Sequence, residues 1–249
     1  VGHHNYLYYL VLAVGIVSAI VRGRYRQRQG QRVLPSLAAR AGLQFSATNP
    51  YDLSSYRFGL LQEGNDRGCE NVLSGRWHDL QVMEADYWYV TRSGQSGARN
   101  AFSIAITDLT VALPYISITR RDIVPEITGP AGSSDFEFGS DAFSRQYRVK
   151  ATDEVYAGKL VDESMMQWLL FTTGHSFAFE IQDSYLLVWS PRMDATDVAS
   201  LLDMLKEFTE HIPPPVLTQY GSQRKSAPVP PFGGQQTPVV PPDGGQSAS

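Results

Sequence analysis

The sequence predicts an α+β protein: one N-terminal transmembrane helix, then a mainly antiparallel sheet with packed helices, then a disordered Pro/Gly-rich tail. Three observations predict it. Residues 6–21, YLYYLVLAVGIVSAIV, are apolar and uncharged. From Glu70 onward, apolar residues recur mainly at every second position, with helical spacing confined to a few blocks. Nine of the 15 prolines lie beyond Ile212, where apolar periodicity ends. The implied organisation is an external N-terminus over residues 1–5, a transmembrane helix over 6–22, and a basic juxtamembrane segment with a short helix over 23–42. A cytoplasmic α+β domain over 43–212 and a tail over 213–249 complete it.

A bilayer core about 30 Å thick asks for roughly 20 apolar residues at about 1.5 Å each. The run is short of that, but the aliphatic stem of Arg22 lets its charge reach outward, and Tyr6, Tyr8 and Tyr9 suit the interface. A soluble core helix would carry a polar stripe, and a secretory signal would carry its charge before the apolar run. Here Arg22, Arg24, Arg26, Arg28 and Arg32 follow it, while VGHHN before it has no Lys or Arg. This bias places the N-terminus outside and the domain in the cytoplasm. The same five arginines are candidate ligands for anionic lipid of the inner leaflet, at about 1 kcal/mol each.

Residues 33–41, VLPSLAARA, read as a short helix with Pro35 in its first turn and Gly42 as its stop. Residues 43–47 read as a strand, DLSSYRFGLL as a helical turn or irregular segment, and 62–68 as a polar loop. ENVLSGRW and LQVMEADYWYV alternate as strands joined through His78 and Asp79. A Gly/Ser loop is expected over 92–100. AFSIAITDLTVAL and YISITR then read as a long strand and a short neighbour broken at Pro114, giving an antiparallel meander.

Beyond the loop VPEITGPAGSS, Tyr147, Val149 and Ala151 alternate as a strand, and Asp162 or Glu163 opens a helix through Met165, Met166 and Trp168. Phe177, Phe179 and Ile181 alternate into an expected hairpin at Asp183 and Ser184, with Tyr185 to Val188 returning. Asp194 is the expected cap of a last helix bearing Val198, Leu201, Leu202, Leu205 and Phe208. Roughly 170 residues suffice for one core.

The order of an N-terminal span, an arginine collar, FEFGSDAFSRQYRVKATD, KLVDESMMQWL and LLVW before a helix ending in HIPPP resembles a group of uncharacterised single-pass membrane-anchored proteins common in actinobacteria. The resemblance rests on residues 6–215, including Asp153 and the pair Met165 and Met166. It implies an anchored cytoplasmic domain and transfers no catalytic residue.

Charge divides the chain. All 25 acidic residues lie from Asp52 onward with 15 of the 21 basic ones, so this part carries about −10 and disfavours nucleic acid as a partner. A lone Cys69 excludes an internal disulfide and a multi-Cys metal site. His3 and His4 offer at most a weak external metal site.

Gly174-His175-Ser176-Phe177-Ala178 lacks the second glycine of a nucleophile elbow and sits between an expected helix and strand, the wrong order for that motif. His78 beside Asp79 reads as a strand-end histidine. The pairs Asp135/Glu137, Asp153/Glu154 and Asp162/Glu163 read as strand-edge charge and helix starts. Tyr87, Trp88 and Tyr89 read as a strand packed on both sides, with an exposed aromatic patch as the functional alternative. No Walker loop, dinucleotide fingerprint or His-Glu-x-x-His occurs, so no cofactor and no catalytic residue is expected. Lys225, Pro228 and Pro231 have the spacing of a polyproline ligand for a protein partner.

Two functions compete: a membrane-tethered interaction or regulatory domain, and an enzyme with an unrecognised site acting on membrane-linked or envelope-related substrates. A pocket of convergent polar groups favours the enzyme; a flat apolar surface or a tail that binds a partner favours the tether.

Overall fold

The structure, a computed structural model, describes residues 9, 33–51, 53, 56–93, 96–123, 127–172 and 176–221. The expected span over 6–22 lies, Tyr9 apart, outside the described residues. So do Arg22, Arg24, Arg26, Arg28 and Arg32, and likewise Lys225, Pro228 and Pro231. Among the described residues no helix is long and apolar enough to cross a membrane.

Helix α1 covers residues 33–41 and buries Leu34 and Ala38, four apart on one face. Gly42 ends it at φ 70°, a left-handed conformation that glycine adopts without steric cost. Four strands follow in an antiparallel meander: β1 (Gln44–Thr48), β2 (Asp66–Trp77), β3 (Leu80–Ser93) and β4 (Ser96–Arg120). The single turn α2 (Gly59–Gln62) lies between β1 and β2. His78 and Asp79 form the two-residue turn between β2 and β3, with His78 at φ 52°.

The chain then passes through β5 (Ser134–Phe136), α3 (Asp141–Gln146), β6 (Tyr147–Ala151), α4 (Glu154–Leu160), α5 (Glu163–Phe171) and β7 (Ala178–Pro191). It closes with α6 (Val198–His211) and α7 (Pro214–Tyr220). Ser140, Asp153 and Asp162 cap α3, α4 and α5, each side chain accepting from the amide three residues on. The helix-start reading of Asp153/Glu154 and Asp162/Glu163 thus matches the fold.

The seven strands form one antiparallel sheet in the order β1-β2-β3-β4-β6-β5, with β7 also paired to β4. β4 is its spine. β7 pairs with it from Phe102 to Thr119, while β3 pairs with its first half and β6 with its end. One face packs against α1 and α3 to α7, burying Ile116, Ile118, Val149, Phe179, Leu186, Leu205 and Phe208. The other buries Met83, Tyr87, Tyr89, Ile104, Leu187 and Trp189 beneath Leu53, Tyr56, Phe58, Leu60, Leu61, Ile123 and Ile127.

Several boundaries differ from the sequence-based expectation. Residues 66–68 pair with β3, so the expected loop over 62–68 is shorter. Most of the expected loop over 92–100 is ladder, with Thr91, Arg92 and Ser93 opposite Ala98, Gly97 and Ser96. Small residues there are cross-strand partners rather than connection.

β4 does not end at Pro114. It slips register between Asp108 and Ile116, where a proline without an amide hydrogen is tolerated. No hairpin forms at Asp183: that residue takes φ 55°, bulges β7 opposite Leu113, and the strand continues. The helix expected from Asp194 starts at Val198, because Asp194 accepts the amide of Asp197 at 2.9 Å in a turn. Ile212 is not the last packed residue either. α7 places Val216 in the core, with Leu217 and Tyr220 against it, so residues 214–220, expected as tail, form a packed helix.

Candidate functional site

The end of β4 and the middle of β6 carry opposite chemistry on their two faces. Ile116 and Ile118, with Tyr147, Val149 and Ala151, point into the helix layer. The residues between them face away, and the register sets Ser117 opposite Lys150 and Thr119 opposite Arg148. Arg120 and Arg121 end the strand, and Ile123 and Ile127 from the following segment supply an apolar wall. These eight residues line a cavity of about 270 Å³.

The cationic side chains are held by neighbours. Arg121 Nε donates to the Ser144 carbonyl at 2.8 Å, and Lys150 Nζ to the Ile127 carbonyl at 3.3 Å. Arg120 Nε lies 3.2 Å from Asp122 Oδ1, while Asp122 Oδ2 accepts from Ser176 Oγ at 2.8 Å. Asp135 on β5 stands opposite Lys150 in the ladder and is exposed. Among the described residues the lining therefore offers positive charge, two hydroxyls and an apolar wall. Its chemical competence is to hold an anion.

Behind this cavity Glu180 pairs with Ser117 in the ladder and is 1% exposed. Its carboxylate accepts the amide of Gly59. Burial pushes the Glu180 carboxyl up to about 7, against the opposing pull of the Gly59 and Leu60 amides and Tyr115. Position 59 requires glycine for a steric reason: a Cβ there would strike the Ile127 side chain and the Thr128 carbonyl. Ile127 thus packs on Gly59 on one side and walls the cavity on the other.

A second polar cluster lies in the middle of β3. Asp86 accepts from Arg192 and from Asn71, each at 2.8 Å. Glu84, two residues away on the same face, is fully buried, and its carboxyl is raised well above the ordinary range by burial and by Asp86, with Arg192 opposing. Glu84 Oε2 has no hydrogen-bond partner among the described residues. The nearby Cys69 thiol is pushed up to about 12 by burial and the surrounding carboxylates, so it is not poised as a nucleophile.

Of the residues singled out from the sequence, Ser176 lies between α5 and β7, and its partner is the carboxylate already engaged by Arg120. The strand-turn-helix geometry of an elbow is not present there. His78 is a turn residue, 3.9 Å from Asp203 and exposed. Tyr87 and Tyr89 are both buried, and Trp88 on the other face is covered by Arg99, 4.4 Å from its ring centre. The packed reading of this stretch holds.

Sequence reasoning missed the cavity residues, although one signal was visible: in YRVKA both outward positions are basic, within an otherwise acidic domain. Glu180, inside FAFEI, was a second.

The described residues form an α+β domain: a helix-covered antiparallel sheet with a basic cavity on its other face. A solved structure of this architecture is the mycobacterial trehalose monomycolate transport factor A, TtfA, at 15% identity and a TM-score of 0.55, covering 77% of this chain and 98% of that one. At that identity the likeness concerns the fold. No family model matches the chain, and no curated protein matches it.

Proposed function

We propose that the chain is a membrane-tethered, non-catalytic binding domain that serves as an accessory to a transport process. The observation that carries this reading is the composition of the cavity. Among the described residues it gathers four cations and two hydroxyls, which suits holding an anionic ligand. The transport factor supports the accessory role through a shared fold spanning 98% of its length.

The apolar run over 6–22 anchors the chain, and Arg22, Arg24, Arg26, Arg28 and Arg32 grip anionic lipid at the cytoplasmic face. Lys225, Pro228 and Pro231 offer a docking segment to a protein partner, whose encounter the tether makes effectively intramolecular. The competing reading, an enzyme on membrane-linked substrates, draws on the same polar convergence. It would need Ser117 or Thr119 activated by a base, and Asp122, the carboxylate nearest in the chain, is occupied by Arg120 and Ser176.

The test is affinity capture of the full chain from detergent-solubilised membranes. An integral membrane transport protein should be recovered with it and lost when residues 6–22 are replaced by a soluble leader. Recovery of no integral membrane protein would contradict the accessory role.

A further inference from the structure

We infer that Glu84, Asp86 and Arg192 form a proton-operated latch on the connection between β7 and α6, residues 192–197. With a proton on Glu84, the Arg192 guanidinium holds that connection to the sheet; loss of the proton releases it. The latch depends neither on the anchor nor on a ligand of the basic cavity.

Its geometry is set by the ladder. Glu84 and Asp86 share the helix-covered face of β3 with Val82, and the two carboxylates stand two residues apart, about 7 Å of strand. Glu84 lies opposite Leu73 of β2 and Ala105 of β4, both part of the apolar core beneath the helices. Asp86 lies opposite Ser103 of β4, which lies opposite Ser190 of β7. The connection comes down on this row. Arg192 donates its amide to the Ala101 carbonyl at 3.1 Å and its side chain to Asp86 at 2.8 Å, and the Met193 amide donates to Ser103 Oγ at 3.0 Å. The strands around it are held by continuous ladders, so the connection is the part that yields.

Charge at this corner balances only with a proton. Asp86 takes the guanidinium, while Glu84 is 1% exposed and its Oε2 has no hydrogen-bond partner among the described residues. Two ionised carboxylates against one cation would leave a negative charge in an apolar layer, which costs more than keeping one acid neutral. Burial, reinforced by Asp86 and opposed by Arg192, accordingly raises the Glu84 carboxyl well above its ordinary range.

The surrounding elements bring other charged and titratable groups. β2 contributes Cys69, its thiol pushed up to about 12, and Glu70, which Arg99 of β4 meets at 3.5 Å. The connection adds Asp194 and Asp197, and α1 adds exposed Arg40; the first turn of α6 brings no charge. None of the described residues of β2, β3, β4 or the connection is a histidine. The closed corner binds the Glu84 proton more tightly than an opened corner does. Closure is therefore strongest at acid pH and weakens as pH rises toward the raised value of Glu84.

The test is amide hydrogen exchange in the full chain in nonionic detergent, followed from about pH 5 to about pH 8. Two amides are compared: Met193, bonded to Ser103, and Met165, bonded to the α5 cap Asp162. The intrinsic pH dependence of exchange cancels in their ratio. One proton released on opening raises the Met193-to-Met165 ratio by up to about tenfold per pH unit, and a total rise of at least about tenfold is expected. Glu84→Gln keeps the shape of the protonated acid and should make the ratio flat. Glu180→Gln, on the other face of the sheet, should leave the rise as it is in the parent.

A flat ratio in the parent overturns the latch, and that outcome needs no variant to fold. An equal rise in Glu84→Gln overturns it as well, and loss of the rise in Glu180→Gln would assign the proton to Glu180 instead. Recovery of a transport protein by the full chain is a separate readout, so failure of the latch leaves the accessory role standing.

Discussion

Glu180 is a carboxylate placed by β7 into an apolar layer and held there by the amide of Gly59. Its carboxyl is raised to about 7, so the folded protein binds this proton more tightly than the unfolded chain does. The contribution is therefore complete below the unfolded carboxylate value and is lost as pH rises through about 7. We expect urea stability to fall between pH 5 and pH 8 by an amount on the order of 3 kcal/mol from this group. Glu180→Gln keeps an acceptor for Gly59 and should flatten that dependence; an unchanged pH profile in the variant would remove Glu180 as its origin. At the other cluster the sign of the effect reverses with the partner removed. Arg192 and Asp86 are 18% and 13% exposed, and Arg192→Ala strands a largely buried carboxylate, costing about 3 kcal/mol by urea titration.

At the scale of elements, β4 and β7 depend on two irregularities that meet. Thr110 at φ 64° and Asp183 at φ 55° lie where the two strands slip register, so both bend together and keep one face toward the helices. Asp183→Val should cost about 1–2 kcal/mol, because a β-branched residue resists the left-handed region; Asp183→Gly should be near neutral. Local alternation made the strands legible in the sequence, as did capping for α4 and α5, with Asp153 and Asp162 in the roles expected of them or their neighbours; α3, capped by Ser140, was not read. The bulges were not legible. An Asp-Ser pair between apolar runs has the same composition in a hairpin and in a bulge, and only the partner strand decides between them. For the same reason α7 was hidden: PPPVLTQY is too short for a periodic signal, and its helix is held by Val216 in the core. The cavity was only half legible, since alternation places Arg148 and Lys150 outward but says nothing of Arg120 and Arg121 beside them. Truncation after Gly221 should leave the melting temperature unchanged. Truncation after Ile212 should remove about 3 kcal/mol or more by uncovering the core beneath Val216.

For the whole molecule, charge and hydropathy are arranged along the chain: an apolar run, five arginines behind it, and an acidic body carrying a basic cavity. In the proposed role that cavity lies on the cytoplasmic side of a membrane, where the collar would hold the domain close to its ligand and its partner. The decisive measurement is the orientation of the domain, read from reporter fusions placed after Gly221 in the full chain. A reporter active only in the cytoplasm should signal there, and one active only outside the membrane should be silent. Signal from the external reporter, or recovery of the fusion in the carbonate-soluble fraction, would contradict the tethered cytoplasmic placement on which the proposed role depends.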